Sequence, residues 1–156
     1  MGVHRDEWGS GWAAGWMFRG EAEYALDEKG RVVIPPNFRS VMGERVIATR
    51  GASDPCIWVY SQTEWPSVEE KLRALPFRFR DFARMMRASA DCDVDRQGRI
   101  SLPSSLRKYA HISRAVTIIG MGNRLEIWST PVWQARLNKI VKAPQALAKQ
   151  IEELNL

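Results

Sequence analysis

The chain has 156 residues, 45% hydrophobic and 26% charged, which suits one ordinary domain or two small ones. That balance excludes a disordered or fibrous chain, and no apolar run approaches the ~18 residues of a membrane helix. A net charge of +5 admits nucleic acid as a partner, and two separated cysteines, Cys56 and Cys92, fit a reducing cytosol better than a disulfide.

Residues 1–16 hold Gly2, Gly9, Gly11 and Gly15 among Trp8, Trp12 and Trp16, with no helical or strand period. They read as a flexible extension without the apolar core of a signal peptide, so the expected location is cytoplasmic. His4 and His111 complete no four-ligand set with the cysteines, so neither a metal nor another cofactor is expected.

The string DEKGRVVIP over 27–35 returns as DRQGRISLP over 95–103, an offset of 68. Phe38 and Leu106, Arg39 and Arg107, and Trp65 and Trp133 match at the same offset. IWVYS over 57–61 resembles LEIWS over 125–129. A D-x-x-G-R-x-x-x-P pattern with further anchors at one offset marks a duplicated unit.

Within each copy, Asp27 or Asp95 is placed to fold back onto backbone N–H groups two residues on. Gly30 and Gly98 supply the positive φ that a tight turn requires. A strand then follows, with Val32, Ile34, Ile100 and Leu102 inward and Arg31, Val33, Arg99 and Ser101 outward. Pro35 and Pro103 stop these strands and suit the starts of short helices over 37–42 and 104–110, with Ser104 as a cap. Strands over 46–49 and 56–60, and over 116–119 and 125–128, flank turn-forming loops and predict two hairpins.

Helices close each unit. Ser61 with Glu64, and Ser67 with Glu70, both fit a capping box, and Trp65, Val68, Leu72 and Leu75 share one helical face. A second helix is predicted over 81–88. Between residues 71 and 87, Lys71, Arg73, Arg78, Arg80, Arg84 and Arg87 face one acid, Asp81. Such a stretch is either a solvated helical face or a phosphate-binding one. In the second unit Thr130-Pro131 predicts a cap and first turn. Trp133, Leu137, Ile140 and Val141 form one apolar stripe, and Leu147, Ile151 and Leu154 form another after Pro144. Stripes of this kind belong to a core or a subunit interface.

One β-α-β-β unit of about 45 residues rarely buries enough apolar surface alone. Two copies are expected to interlock about a pseudo-twofold axis, which displays Arg31 and Arg99 together. The fold class is therefore α+β, with tandem β-α-β-β units making an intramolecular pseudo-dimer with flanking helices. The expected division is an extension over 1–16, units over 17–90 and 91–142, and a terminal helix over 143–156.

MFRG over 17–20, LDEKGR over 26–31, the stretch over 94–103 and EIW over 126–128 resemble the MraZ family. These are bacterial DNA-binding regulators of the SpoVT-AbrB type, and the likeness spans about residues 17–140. The resemblance implies an AbrB-like swapped-hairpin barrel. It implies a repressor of the cell-division and cell-wall gene cluster, a homo-oligomeric ring on tandem promoter repeats of double-stranded DNA at the nucleoid. It places the DNA-contacting arginine on Arg31 and its second-unit counterpart on Arg99, with Lys29 beside the first and Gln97 in its place in the second. The expected DNA-binding set is therefore Arg31, Arg99, Lys29, Asp27, Asp95, Gly30 and Gly98. An arginine fork suits guanine O6/N7 or a phosphate, and a β-ribbon suits a major groove.

Rival readings come from other classes. Arg31 and Arg99 are also placed to pair with Asp27 and Asp95 across the turn, and the aspartate would then orient the arginine. An AbrB-like antitoxin or other AbrB-type regulator is the nearest alternative, but an antitoxin of that kind usually carries one unit and a disordered tail. An oligomeric scaffold would bind protein through Phe77, Phe79, Phe82, Met85 and Met86. No enzyme or small-molecule substrate is expected. His111 has no catalytic companions, and GMGNR over 120–124 lacks the third glycine and long helix of a phosphate loop.

Overall fold

The computed structural model describes residues 18–156. The extension expected over 1–16 lies outside the described residues. The first repeat runs β1 (Glu21–Ala25), β2 (Arg31–Val33), α1 (Pro36–Met42), β3 (Arg45–Arg50) and β4 (Ile57–Ser61), then α2 (Trp65–Arg73) and α3 (Arg80–Arg87). The second runs β5 (Ala90–Asp93), β6 (Arg99–Ser101), α4 (Ser104–Tyr109), β7 (Ala115–Gly120) and β8 (Leu125–Ser129), then α5 (Thr130–Val141) and α6 (Gln145–Glu152).

Each repeat thus carries one strand more than the β-α-β-β order read from sequence. The added strands, EAEYA and ADCD, are rich in alanine and acid and poor in β-branched residues, so their composition gives little strand signal. Both are held by the other repeat's hairpin. β1 pairs with β7, Glu21 opposite Ile119, and β5 pairs with β3, Asp93 opposite Arg45. The two hairpins meet along β4 and β8, Ile57 opposite Ile127. The result is a six-stranded sheet in the order β1-β7-β8-β4-β3-β5, beside a two-stranded ribbon of β2 and β6. Every pairing between the described strands is antiparallel, and the chain is a mixed α+β fold.

The offset of 68 holds for β2 and β6 and for β4 and β8, but β7 stands 70 residues after β3. The second repeat has a longer link before its third strand, 110–114 against 43–44, and a shorter hairpin loop, 121–124 against 51–56. With α4 one residue shorter than α1, these changes cancel by the fourth strand, so β4 and β8 keep the same place in both repeats.

The core is shared. Val32, Ile34, Ile100 and Leu102 are all buried, as the alternation predicts, among residues drawn from both repeats. Burying each such side chain contributes about 1.5–3 kcal/mol, which neither unit would gain by itself. A smaller cluster of Tyr60, Val68, Leu72 and Met86 lies beneath α2 and α3. Thr49 Oγ1 donates to the Met86 carbonyl at 2.9 Å and ties the end of α3 to β3. Of the five residues proposed for a scaffold surface, Met86 is therefore core; Phe77 is strongly exposed and Phe79 less so.

Two expected caps are corrected. Ser104 is the first helical residue, with Pro103 in the cap position and no side-chain cap bond. Thr130 likewise begins α5 behind Ser129, and its hydroxyl meets that of Thr117 at 3.0 Å. Before α2, Ser61 Oγ does accept the Glu64 amide at 3.1 Å, whereas Ser67 lies inside the helix. Cys56 and Cys92 are free and buried, and burial pushes both thiols up, Cys92 to about 11. Among the described residues no helix is long and apolar enough to cross a membrane.

Candidate nucleic-acid interface

The site is built on the shortest of the described strands. β2 and β6 pair Arg31 with Ser101, Val32 with Ile100 and Val33 with Arg99. Alternation sends Val32 and Ile100 into the core, each 1% exposed, and the other four residues to the opposite face. Arg31 and Arg99 are then diagonal neighbours on that face, about 7–8 Å apart at the backbone.

A turn enters each strand. Asp27 Oδ1 accepts the amides of Lys29 and Arg31, both at 2.9 Å, and its carbonyl accepts the Gly30 amide at 3.0 Å. Asp95 Oδ1 accepts those of Gln97 at 2.9 Å and Arg99 at 2.8 Å. Gly30 and Gly98 hold φ of 74° and 77°, a region that L side chains enter only under strain. The second carboxylate oxygen takes the arginine. Arg31 Nε donates to Asp27 Oδ2 at 2.6 Å and Arg99 Nε to Asp95 Oδ2 at 2.9 Å. Arg99 Nη1 also lies 3.7 Å from Asp27 Oδ2, which links the two turns.

These bonds act on both partners. The amide of Arg31, with its guanidinium, holds the Asp27 carboxyl below the usual carboxylate range. The amide and guanidinium of Arg99 do the same for Asp95. Each arginine gives its Nε to the turn, which leaves Nη donors of its fork outside those two hydrogen bonds. The side chains remain 29% and 27% exposed, oriented but reachable. The ion pair and the outward display hold together. Lys29 is exposed on the first turn, and Gln97 on the second.

Two further arginines belong to the same structure and were not among the site residues read from sequence. Arg39 Nε donates to the Ile34 carbonyl at 3.1 Å and Arg107 Nε to that of Leu102 at 3.0 Å. The guanidinium of each lies under the other repeat's turn. A Cβ on Gly30 would stand 3.0 Å from Arg107 Cζ, and one on Gly98 would collide with the Arg39 guanidinium. The strands repeat this crossing, since the Ile34 amide donates to the Gly98 carbonyl and the Leu102 amide to the Gly30 carbonyl. The match of Arg39 with Arg107 at the repeat offset was the available signal.

The remaining candidates fall elsewhere. His111 is exposed just beyond α4 with φ of 57°. Residues 121–124 form the loop between β7 and β8, as read. Glu126 is buried in β8, where it accepts Trp128 Nε1 at 3.0 Å and lies 3.3 Å from an Arg124 Nη.

Comparison with known proteins agrees with the duplication. A family model described as "MraZ protein, putative antitoxin-like" matches twice, over residues 17–88 and 85–152. A protein of Halothermothrix orenii named "Transcriptional regulator MraZ" is 42% identical over 144 residues, which cover 90% of this chain and 100% of the relative. Proteins of the same name from Natranaerobius thermophilus and Syntrophomonas wolfei subsp. wolfei are 43% and 44% identical over the same shares.

Proposed function

The chain belongs to the MraZ family, and from that premise we propose that it regulates transcription by gripping double-stranded DNA with its paired turns. The observation that carries the reading is the pair of aspartate-oriented arginines, Arg31 and Arg99, side by side on the outer face of one ribbon. A two-stranded ribbon enters a major groove, and an arginine fork reads guanine or clamps phosphate. Asp27 and Asp95 orient the forks, Gly30 and Gly98 permit the turns, and Lys29 adds a cation to one side only.

The finer reading follows the resemblance. The protein represses the cell-division and cell-wall gene cluster from tandem repeats in its promoter, as a homo-oligomeric ring at the nucleoid. The crossed pairing of β1 with β7 and of β5 with β3 supports an AbrB-like swapped-hairpin architecture. One pair of turns is a small contact. Several pairs on several boxes gain by effective concentration.

The test is a titration of a fragment from upstream of the protein's own gene at several salt concentrations. Wild type, Arg31→Ala and Arg99→Ala are compared. Specific binding should weaken linearly in log–log salt. Each substitution should remove about 1–3 kcal/mol for a bidentate base contact, or lower the salt slope by about 1 for a phosphate contact. Salt-insensitive or absent binding, unchanged by either substitution, would overturn the proposal.

A further inference from the structure

The ribbon and its turns have a twofold in the backbone that the outward side chains break. Val32 stands opposite Ile100 at the centre, with Arg31 opposite Ser101 and Val33 opposite Arg99 on either side. The turns repeat closely: Gly30 and Gly98 hold φ of 74° and 77°, and their amides donate to the Asp27 and Asp95 carbonyls at 3.0 and 2.9 Å. The residues that build the head match between repeats, namely the aspartates, the glycines, the arginines and the buried aliphatic pairs. The remaining outward positions do not match. Glu28 is answered by Arg96 and Lys29 by Gln97, and all four are exposed. On the strands Val33, partly exposed, is answered by Ser101, which is exposed.

Neither packing nor turn geometry calls for these differences, because aspartate and glycine set the turns and the buried pairs hold the ribbon. The antiparallel register puts each strand difference beside an arginine. Side chains directly opposed in such a pair stand about 4.5–5.5 Å apart at Cβ. Arg31 therefore shares its side of the face with the Ser101 hydroxyl, and Arg99 shares its side with the Val33 methyls. At the tips, Glu28 offsets Lys29 on the first turn, whereas Arg96 stands beside a neutral glutamine on the second.

We infer that Val33, Ser101 and Arg96 determine the specificity of this head, and that through them it sits on double-stranded DNA in one direction only. The inference rests on the DNA part of the reading above and is independent of the oligomer part. A head with full twofold symmetry reads a palindrome, because site symmetry mirrors protein symmetry. This head offers a different surface to each half of its box. Beside Arg99, the Val33 methyls form the apolar contact that a thymine C5-methyl takes in the major groove. Beside Arg31, the Ser101 hydroxyl hydrogen-bonds to a base edge and gives a methyl no such contact. Arg96 takes a phosphate at the tip of the second turn, where Glu28 on the first turn repels one. The half of the box beneath Arg99 thus requires a thymine that the half beneath Arg31 does not.

The test begins with a double-stranded library of randomised centre, from which the full chain selects its box. The selected box should lack a twofold, and the two palindromes made by inverting either half should bind at least about fivefold more weakly. Deoxyuridine in place of each thymine then removes one methyl at a time. One such replacement should weaken wild type about fourfold, the worth of one buried methyl group, and leave Val33→Ser indifferent. Arg96→Gln should lower the slope of log affinity against log salt by about 1, and Glu28→Gln should not lower it. Orientation is read separately. Ser105 is exposed on α4, just after the second ribbon strand, while Cys56 and Cys92 are buried. A Ser105→Cys chain therefore takes an iron chelate at the new thiol, and it should cut one flank of the box. Exchanging the outward residues between repeats (Glu28→Arg, Lys29→Gln and Val33→Ser with Arg96→Glu, Gln97→Lys and Ser101→Val) turns the head around, so the cut should move to the other flank. The single substitutions decide the same question where the full exchange does not fold. Equal binding of box and palindromes overturns the inference and leaves the DNA reading standing. So does a deoxyuridine effect that persists in Val33→Ser, or a cut that stays on its flank after the exchange. If the library yields no box at all, the DNA reading falls and the inference with it.

Discussion

At the residue scale the site consists of carboxylates that aim guanidiniums, and the aspartates titrate where that aim can be tested. Hydrogen bonds in the turns hold Asp27 and Asp95 below the usual carboxylate range. A carboxyl lowered in the folded state stabilises it fully above its unfolded value near 4. That contribution fades as pH falls through the lower folded value. Urea unfolding should therefore show no contribution from these aspartates changing between pH 8 and 5, and a loss below about 4. Asp27→Asn with Asp95→Asn should flatten that loss while lowering stability at neutral pH. The turn bonds were legible in sequence because an aspartate two residues before an amide and a glycine at positive φ are local facts. The cross-repeat arginines were not, because a side chain's partner in another repeat depends on how the repeats interlock. Their crossing predicts a specific coupling. In double-mutant cycles of DNA affinity, Arg39→Ala should couple to Arg99→Ala by about 0.5–3 kcal/mol and add simply with Arg31→Ala. Arg107→Ala should show the mirror pattern. Coupling of Arg39 to Arg31 instead would mean that each arginine serves its own repeat.

At the element scale the ribbon of β2 and β6 is only three residues long on each side, and its anchorage is one buried pair. Val32 and Ile100 face each other with 1% exposure apiece. Ile100→Ala should cost about 2–5 kcal/mol in urea unfolding, and Ile100→Val about 0.5–1.5. Where Ile100→Ala still folds at low temperature, specific DNA affinity should fall even though no contacting side chain has changed. These strands were readable because Arg99 to Ser101 alternate cleanly, with hydrophobic neighbours at the same period. β1 and β5 were not, because their strand character comes from the edges that receive them. Ala22, Tyr24, Ala90 and Cys92 carry a faint alternation that their acidic neighbours hide. The caps were misjudged by one residue at Ser104 and Thr130, although the start of the helix at 104 was read from the sequence. In both places the residue before the expected cap already ends the strand or loop in extended backbone, so the cap position falls there.

At the scale of the whole molecule the duplication is what makes a small chain competent. The repeats exchange their first strands, share one core and bring two turns onto one surface, so a single chain presents what would otherwise need two. The repeat in the sequence announced that partnership. The groove between α2 and α3, lined by Leu75, Phe77, Phe79 and Ala83, and the exposed helix α6 were visible only as a charge cluster and an apolar stripe, since nothing among the described residues covers them. If they join copies, assembly and DNA affinity are linked through the number of boxes engaged at once. A wild-type assembly on a fragment with several repeat boxes should bind about 10²–10⁴-fold more tightly than on one box. A chain carrying Phe77→Asp and Arg80→Glu should lose most of that advantage and still bind one box nearly as well as wild type. Its Arg31 and Arg99 turns are untouched, so each box contact persists while the tether between contacts is gone. The comparison needs both fragments measured at one salt concentration, because a lost phosphate contact would weaken binding to one box and to several alike. Equal losses on the two fragments would therefore place the groove's arginines on the DNA, whereas a loss confined to the multi-box fragment isolates the contribution of assembly.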